Sequence, residues 1–449
     1  MPPVLLNAKI AAARAVGALS RRTGRGGTSL PGKALLRMQP DAIAQLSGRL
    51  GRGSAVLSAT NGKTTTAAMV ARILELGGAR LVHNRAGANM AGGVTTALLA
   101  GKGDTGLFEV DEFWLDRVVP QVRPRALLLA NLFRDQLDRY GELETIADRW
   151  AAVVAGYDEA LVLNADDPLV ADLGRDRDDT LFFGVQDDAM AMAAMQHAAD
   201  SKHCRRCGSP YVYDAVYLGH LGRYHCPTGD ARRPDPQVIA RDIALHGTRS
   251  ATFTLAAPQG EARIDLPLPG LYNVYNALAA AALTLQLGAP MEHVVAGLHA
   301  VEAAFGRAET VRIGDQELAI LLVKNPAGAN EVLRTLVLED GEHDLLGVLN
   351  DRTADGRDVS WVWDADFEVL AGRVRRVTCA GTRAEELAVR LKYAGVPEDR
   401  IAVERTLERA LDQAVEAAEG RLYALPTYTA MLELRDLLAR RGVAEGSFA

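Results

Sequence analysis

The sequence predicts an α/β protein: a P-loop-type nucleotide-binding domain on a mostly parallel, doubly wound sheet, a small cysteine-bearing insertion, and a second α/β domain. Three observations carry this. Short apolar runs alternate with helical patterns along most of the chain. A strand, a Gly-containing turn and a helix follow one another at Ser54–Leu76. The length, 449 residues, suits two or three domains.

Taken in order, residues 1–50 read as an N-terminal helical segment. Its first stretch contains Lys9 and Arg14, so it lacks the unbroken apolar run of a signal peptide. Ile10, Val16 and Leu19 are candidates for one apolar face. Packing of this helix on its own domain is the preferred reading, and Lys9, Arg14, Arg21 and Arg22 leave room for peripheral contact with a membrane surface. Residues 51–307 form the expected central domain. Ser54–Ser58 is a strand, 59–62 a turn, and Lys63 to about Leu76 a helix closed by Gly77-Gly78. Thr105–Val110, Arg125–Ala130 and Ala160–Leu163 read as buried strands. Arg249–Leu255 and Ala262–Leu266 resume the sheet, and Asn273–Leu287 is an Ala-rich helix. A C-terminal domain is expected over 308–449. Its strands are Leu318–Val323, Leu345–Leu349 and Val374–Cys379; its helices are Ala384–Ala394, Thr406–Ala418 and Ala430–Arg441.

The formal net charge is −7, which argues against a general nucleic-acid binder. No apolar run reaches the roughly 18 residues of a membrane-spanning helix. With no signal peptide either, the expected location is the cytoplasm.

The chemistry centres on Thr60-Asn61-Gly62-Lys63-Thr64-Thr65. In such a turn, backbone N–H groups and a helix N-terminus receive phosphate oxygens. Lys63 reaches the β- and γ-phosphates of ATP, and the Thr64 hydroxyl can ligate Mg²⁺. Leu57 stands where a standard P-loop has its first glycine, so the motif is a variant.

Other segments accompany this loop: Glu109-Val110-Asp111-Glu112, Asn131 to Gly141, Asn164-Ala165-Asp166-Asp167-Pro168, Gly270 to Ala277, and Gly306-Arg307-Ala308-Glu309. Together, in this order, they resemble the Mur ligase family. The resemblance implies that Glu109, at the end of a strand, is a second Mg²⁺ ligand, and that Asn131, Asn273, Asn276 and Arg307 contribute to ATP binding, with Asn273 and Asn276 near the adenine. It also implies activation of a carboxylate as an acyl phosphate. Two departures stand out. Gln136 replaces an expected His, and no lysine occurs between Lys102 and Lys202, where many amino-acid-adding members carry a carbamylated one.

Segments 84–90, 324–330, 350–364 and 428–432 are similar to one branch, the MurT-type synthetase subunits of lipid II isoglutaminyl synthase. That resemblance implies a partner glutaminase of the GatD type, ammonia as the nucleophile, and the D-glutamate α-carboxylate of lipid II as the acceptor. It further implies that an aspartate of the 355–358 loop completes the partner's Cys–His pair; Asp355 is favoured, with Asp358 next. The chain's own residues agree that glutaminase chemistry lies elsewhere. Cys379, the one cysteine outside the insertion, sits on an apolar strand and reads as a buried thiol. Val359, Trp361 and Trp363 alternate as in a strand. Two other functions stand as alternatives: an amino-acid or folate-type ligase, and a non-catalytic ATP-binding scaffold for a glutaminase.

The insertion, about 198–236, carries Cys204-x-x-Cys207 and Cys226. This reads as a zinc-ribbon-like site for structural Zn²⁺. In MurT-type sequences the second half is C-P-x-C-G, whereas here Gly229 occupies the last cysteine position. His203, His220, His225 and Asp230 are candidates for a fourth ligand.

Overall fold

The computed structural model describes residues 3–22, 29–85, 87–135, 143–197, 199–301 and 309–443. The larger sheet contains β1 (Ser54–Ser58), β2 (Leu81–His83), β3 (Thr105–Glu109), β4 (Ala126–Leu129), β5 (Ala160–Asn164) and β6 (Thr180–Val185). After the insertion hairpin β7 (Val212–Leu218) and β8 (Leu221–His225), it resumes with β9 (Val238–His246), β10 (Ser250–Ala257) and β11 (Gly260–Leu266). Its order is β11-β10-β9-β6-β5-β4-β1-β3-β2. Pairings from β2 through β9 are parallel; β10 pairs antiparallel with both neighbours.

All five residues of β1 are buried, as expected for a central parallel strand covered on both faces. From β1 the chain runs first to β2 and β3 on one side, then to β4 on the other. β1 therefore ends at a topological switch point, where the crevice beyond the strand ends takes ligands. On one face, helices Lys63–Leu76, Leu271–Gln286 and Met291–His299 pack into the core around Leu57, Val70 and Phe183. The opposite core is built around Val56, Phe108 and Trp150, with helices Ala91–Ala100, Leu115–Val122 and Leu143–Ala155.

The second sheet contains β12 (Glu309–Ile313), β13 (Gln316–Ile320), β14 (His343–Val348), β15 (Val374–Ala380), β16 (Ile401–Val403) and β17 (Leu422–Pro426). Its order is β12-β13-β17-β14-β15-β16, parallel except for the β12–β13 hairpin. Helices Pro326–Val337 and Ala384–Tyr393 contribute to one core, Leu407–Ala417 and Tyr428–Arg440 to the other. The boundary expected at 307/308 falls in 302–308, outside the described residues.

Three sequence expectations need correction. The alternation Val359-x-Trp361-x-Trp363 does not make a strand. Ser360–Trp363 is a 3-10 turn that buries Val362 and exposes Trp363. Strand β9 went unpredicted because Asp242, at φ +52°, interrupts its alternation opposite a register shift in β10. In the N-terminal helix Pro3–Arg22, Ile10 is buried but Val16 is exposed. The side chain of Leu19 lies outside the described residues. Lys9 donates to Met38 O at 2.7 Å, and Arg14 to Leu99 O at 2.9 Å, so both cations serve packing of this helix.

Candidate active site and cysteine cluster

Gly62 ends the turn after β1 at φ +85°, a left-handed conformation that favours glycine. A Cβ there would lie 1.9 Å from Asn276 Oδ1, so the position is closed to any side chain as the site stands. Asn131, just beyond β4, clamps the turn. Asn61 N donates to its Oδ1 at 2.9 Å, and its Nδ2 donates to Asn61 O at 3.0 Å. Phe133 N donates to Thr60 Oγ1 at 3.1 Å. Asn276 Nδ2 donates to Asn273 Oδ1 at 3.0 Å, and Thr66 Oγ1 to Asn276 Oδ1 at 3.3 Å. Thr60, Asn61, Gly62, Lys63, Thr64, Thr65, Asn131, Asn273 and Asn276 thus converge on one crevice. Arg307 and Gln136 lie outside the described residues.

The Mg²⁺ assignment can be tested on the donors present. Thr64 Oγ1 lies 3.2 Å from Glu109 Oε1, while Glu109 Oε2 is buried with no hydrogen-bond partner among the described residues. A buried carboxylate oxygen with no donor is costly unless a cation serves it. Thr64 and Glu109 therefore fit a hard divalent ion.

Lys63 is buried and pairs with Glu112, Nζ to Oε2 at 2.8 Å, and also donates to Ala59 O and Thr60 O. Burial opposes its charge, but the carboxylates of Glu112, Asp111 and Glu109 prevail and raise its pKa. Glu112 is likewise opposed by burial, yet Lys63 and Lys324 hold it below the usual carboxylate range. Asp111 is pushed upward by burial and by Glu112.

Lys324, on the segment between β13 and helix Pro326–Val337, donates to Thr60 O at 3.2 Å and pairs with Asp135. Beside it, Asn325 Nδ2 donates to Asn61 Oδ1 at 3.0 Å, and Asn325 Oδ1 caps the helix by accepting from Gly328 N. The second sheet thus delivers a second cation to the phosphate-binding turn. Between the two sheets lies a cavity lined by Asn61, Phe133, Leu218, Tyr272, Asn276 and Val332. Its lining joins apolar walls to the amides of Asn61, Asn131, Asn273 and Asn276 and to Lys324, a combination that suits a nucleotide.

Sequence reading missed the roles of Glu112 and Lys324. Glu112 stood in a quoted segment, three residues after the assigned Glu109. Lys324 is the one lysine between Lys202 and Lys392, and its placement after an apolar strand was the available signal.

Asp166 and Asp167 do more than make a turn. Both are fully buried. Asp166 accepts from Tyr275 Oη at 2.6 Å, from Val185 N at 2.8 Å, and from Arg233. Asp167 Oδ1 caps the short helix Pro168–Ala171, and its Oδ2 accepts from Leu132 N at 2.8 Å.

The β7–β8 hairpin reaches the nucleotide crevice at its tip. His220 there is fully buried, with Nε2 3.4 Å from Asp167 Oδ2 and its ring 4.7 Å from that of Phe133. At the other end, the sulfurs of Cys204, Cys207 and Cys226 all lie within 4.8 Å of one another, and the Cys207–Cys226 separation is 3.4 Å. Tetrahedral Zn–S bonds of about 2.3 Å require sulfur separations of about 3.8 Å, so the three cysteines fit a thiophilic metal. Hydrogen bonds from Ser209 and Thr228 lower the Cys207 thiol to about 6. The proposed fourth ligands are not brought in. His220 is at the hairpin tip, Asp230 pairs with Arg175, and His225 faces Asp214. Among the described residues no His, Cys, Asp or Glu, His203 included, joins the three sulfurs.

Asp355 is buried after β14. Its Oδ1 accepts from Thr429 N at 2.7 Å and its Oδ2 from Thr429 Oγ1. Burial raises its pKa, partly offset by those hydrogen bonds. Asp358 is exposed, accepts from Ser360 N at 2.8 Å, and is held below its ordinary pKa by that contact. Cys379 is fully buried, which pushes its thiol up to about 12, as the apolar strand predicted.

Comparison with known proteins agrees with this geometry. The Mur ligase middle domain matches residues 58–225, and the MurT ligase C-terminal domain matches residues 322–431. Over 426 residues the chain is 33% identical to the lipid II isoglutaminyl synthase (glutamine-hydrolyzing) subunit MurT of Staphylococcus aureus strain N315, covering 94% of this chain and 95% of that one. The chain belongs to the MurT family of Mur-type ligases. The subunit of the same name from Streptococcus pneumoniae strain ATCC BAA-255 / R6 is 34% identical, covering 94% of each chain. Among solved structures, a pseudomurein peptide ligase type C from Methanothermus fervidus superposes with TM-score 0.69 at 22% identity, covering 88% of this chain and 80% of that one. Mycobacterium tuberculosis folylpolyglutamate synthase complexed with ADP gives 0.61 at 18% identity, covering 89% and 94%. These two share the fold. No helix among the described residues of this MurT-family chain is long and apolar enough to cross a membrane.

Proposed function

We propose that this chain is the ATP-dependent synthetase subunit of a lipid II isoglutaminyl synthase, acting in the cytoplasm at the inner face of the membrane. The observation that carries the reading is near full-length similarity to two chains named as that enzyme's MurT subunit. The donor set around Gly62 supports it.

In this reading the α-carboxylate of the lipid II D-glutamate attacks the γ-phosphorus of ATP. The bond to the bridging oxygen breaks, and ADP leaves. Ammonia, released when a GatD-type partner hydrolyses glutamine to glutamate, attacks the acyl carbon. Phosphate departs, a proton is lost from nitrogen, and the amide remains. Lys63, Lys324 and the N–H groups of the turn offset the repulsion between two anions, which is the main barrier. Thr64 and Glu109 would hold Mg²⁺, which supplies further charge neutralisation between the phosphates. Asn131 keeps the turn in register, and Asn273, Asn276 and Arg307 contact the nucleotide. The Cys204–Cys207–Cys226 cluster takes structural zinc.

Asp355 serves the partner rather than the phosphoryl transfer. Thr429 donates to both carboxylate oxygens, and the Arg352 backbone and Thr427 side chain also contact the group, which fixes its orientation. In this reading the oriented carboxylate accepts from a histidine of the glutaminase and fixes its tautomer. Trp363 and Tyr393 pack edge to face at 5.9 Å on the exposed surface beyond Asp358, offering an apolar docking patch.

The test is amidation of lipid II, followed by mass spectrometry, with the chain co-purified with its candidate glutaminase. Product should require ATP and glutamine, and Lys63→Ala should lower the rate by about 100-fold or more. Asp355→Ala should lose the glutamine-dependent reaction and keep the ammonium-dependent one. ATP turnover stimulated by an amino acid, with no amidation, would instead identify an amino-acid-adding ligase.

A further inference from the structure

We propose that Cys204, Cys207 and Cys226 form a three-thiolate metal centre whose fourth coordination position is left open by the chain at Gly229. That position faces solvent and holds an exchangeable water or another small donor. Three observations carry this. The sulfurs already span a triangle of the size a tetrahedral zinc site needs. A Cβ built on Gly229 would lie 3.4 Å from Cys226 Sγ and 4.0 Å from Cys207 Sγ, so this backbone position faces the cluster. Its φ is not positive, and those contacts are ordinary, so a side chain is sterically allowed there. The fourth corner therefore exists in the fold, and the residue at it has no donor.

Among the described residues nothing takes its place. Thr228 Oγ1 lies 3.4 Å from Cys207 Sγ and 3.7 Å from Cys226 Sγ, and is 2.6 Å from Ser209 Oγ. A neutral hydroxyl is a poor substitute for thiolate, imidazole or carboxylate on zinc. Cys207, Thr228 and Gly229 are all exposed, so the open corner is reachable from solvent, while Cys204 and Cys226 anchor the other side in the interior. Structural zinc sites are normally closed by four protein ligands, whereas a site with three protein ligands leaves the fourth position to water or another small ligand.

Openness does not make this centre part of phosphoryl transfer. The cysteines lie beyond the Val212–His225 end of the hairpin, and the nucleotide crevice is at the Leu218–Leu221 end. At about 3.3 Å per residue, β7 separates the two by roughly 20 Å. The centre acts on the fold of the insertion.

The experiment uses the full chain, reduced and metal-free, titrated with Co²⁺ under anaerobic conditions. It is independent of the amidation reading, because it reads the metal's own spectrum. One Co²⁺ should bind per chain with thiolate charge-transfer absorption. In Gly229→Cys that absorption should rise by about a third, from three thiolates to four, and zinc should bind at least about tenfold more tightly. Imidazole should shift the ligand-field bands of the wild type and leave those of Gly229→Cys unchanged. Should Gly229→Cys fail to fold, Gly229→His provides the closed site, and the wild-type imidazole response stands alone. Failure to bind Co²⁺ stoichiometrically, a wild-type spectrum matching the closed variant, or wild-type bands indifferent to imidazole would each overturn the proposal.

Discussion

Glu112→Gln isolates the buried ion pair under the phosphate-binding turn. In the nucleotide-free chain, Lys63 and Glu112 are both buried and 2.8 Å apart. Removing one member of such a pair leaves an uncompensated buried charge, which costs about 3–5 kcal/mol. Glutamine keeps the shape and an acceptor for the lysine, so the lower end, about 3 kcal/mol, is expected. Because the pKa of Glu112 is depressed, the contribution is present above the ordinary carboxylate value of 4.5 and fades as pH falls below it. The nucleotide should reverse much of the loss, because phosphate oxygens give Lys63 a new counter-charge. If saturating ADP reduces the difference from wild type to about 1.5 kcal/mol, linkage requires the variant to bind ADP about tenfold more tightly.

The assay is urea unfolding with and without ADP and Mg²⁺, followed by tryptophan fluorescence. Trp150 is a local reporter, since its Nε1 donates to the backbone oxygen of Glu112 at 3.0 Å. A Lys63→Met background supplies the control: there, Glu112→Gln should cost under about 1 kcal/mol, since no buried cation is stranded. A wild-type background loss below about 1 kcal/mol, or ADP binding no tighter in the variant, would refute the reasoning.

Gly62→Ala should weaken ATP binding at least tenfold by calorimetry. It adds a left-handed alanine, at about 1–2 kcal/mol, to a collision with Asn276. In metal-free native protein at pH 7.5, iodoacetamide should label Cys207 rapidly and leave Cys379 intact until denaturation, as read by peptide mass spectrometry. Burial, and then Arg85, depress His83 to about 4, so it stays neutral in the fold while its unfolded counterpart protonates near 6.5. Its contribution to stability is therefore present above 6.5 and lost as pH falls towards 4. His83→Gln should flatten the pH dependence of the unfolding midpoint in that window; an unchanged slope would count against the assignment.

The amino-acid sequence by itself determined the phosphate-binding turn, its strand and helix, and the order of the motifs that follow. It did so because each signal is local. Gly62 sets the left-handed turn, Lys63 begins the helix, and Gly77-Gly78 ends it, all within a few residues. The three-cysteine cluster and the buried Cys379 were legible for the same reason: a short knuckle, and an apolar strand.

Tertiary structure decided what depends on sheet order. Lys324 reaches Thr60 across 264 positions of sequence, and no local pattern encodes that meeting. The Lys63–Glu112 pair exists because β1 lies beside β3 and the residues that follow each strand converge at their shared carboxyl end. His220 looked like a metal ligand by proximity in sequence, yet the hairpin carries it to Asp167, the length of β7 away from the sulfurs. That Gly229 faces the cluster, and that Asp355 is tucked beneath Thr429, likewise follow from packing. Such contacts form only when distant segments are brought together, and the free energy that holds them comes from burying both cores at once.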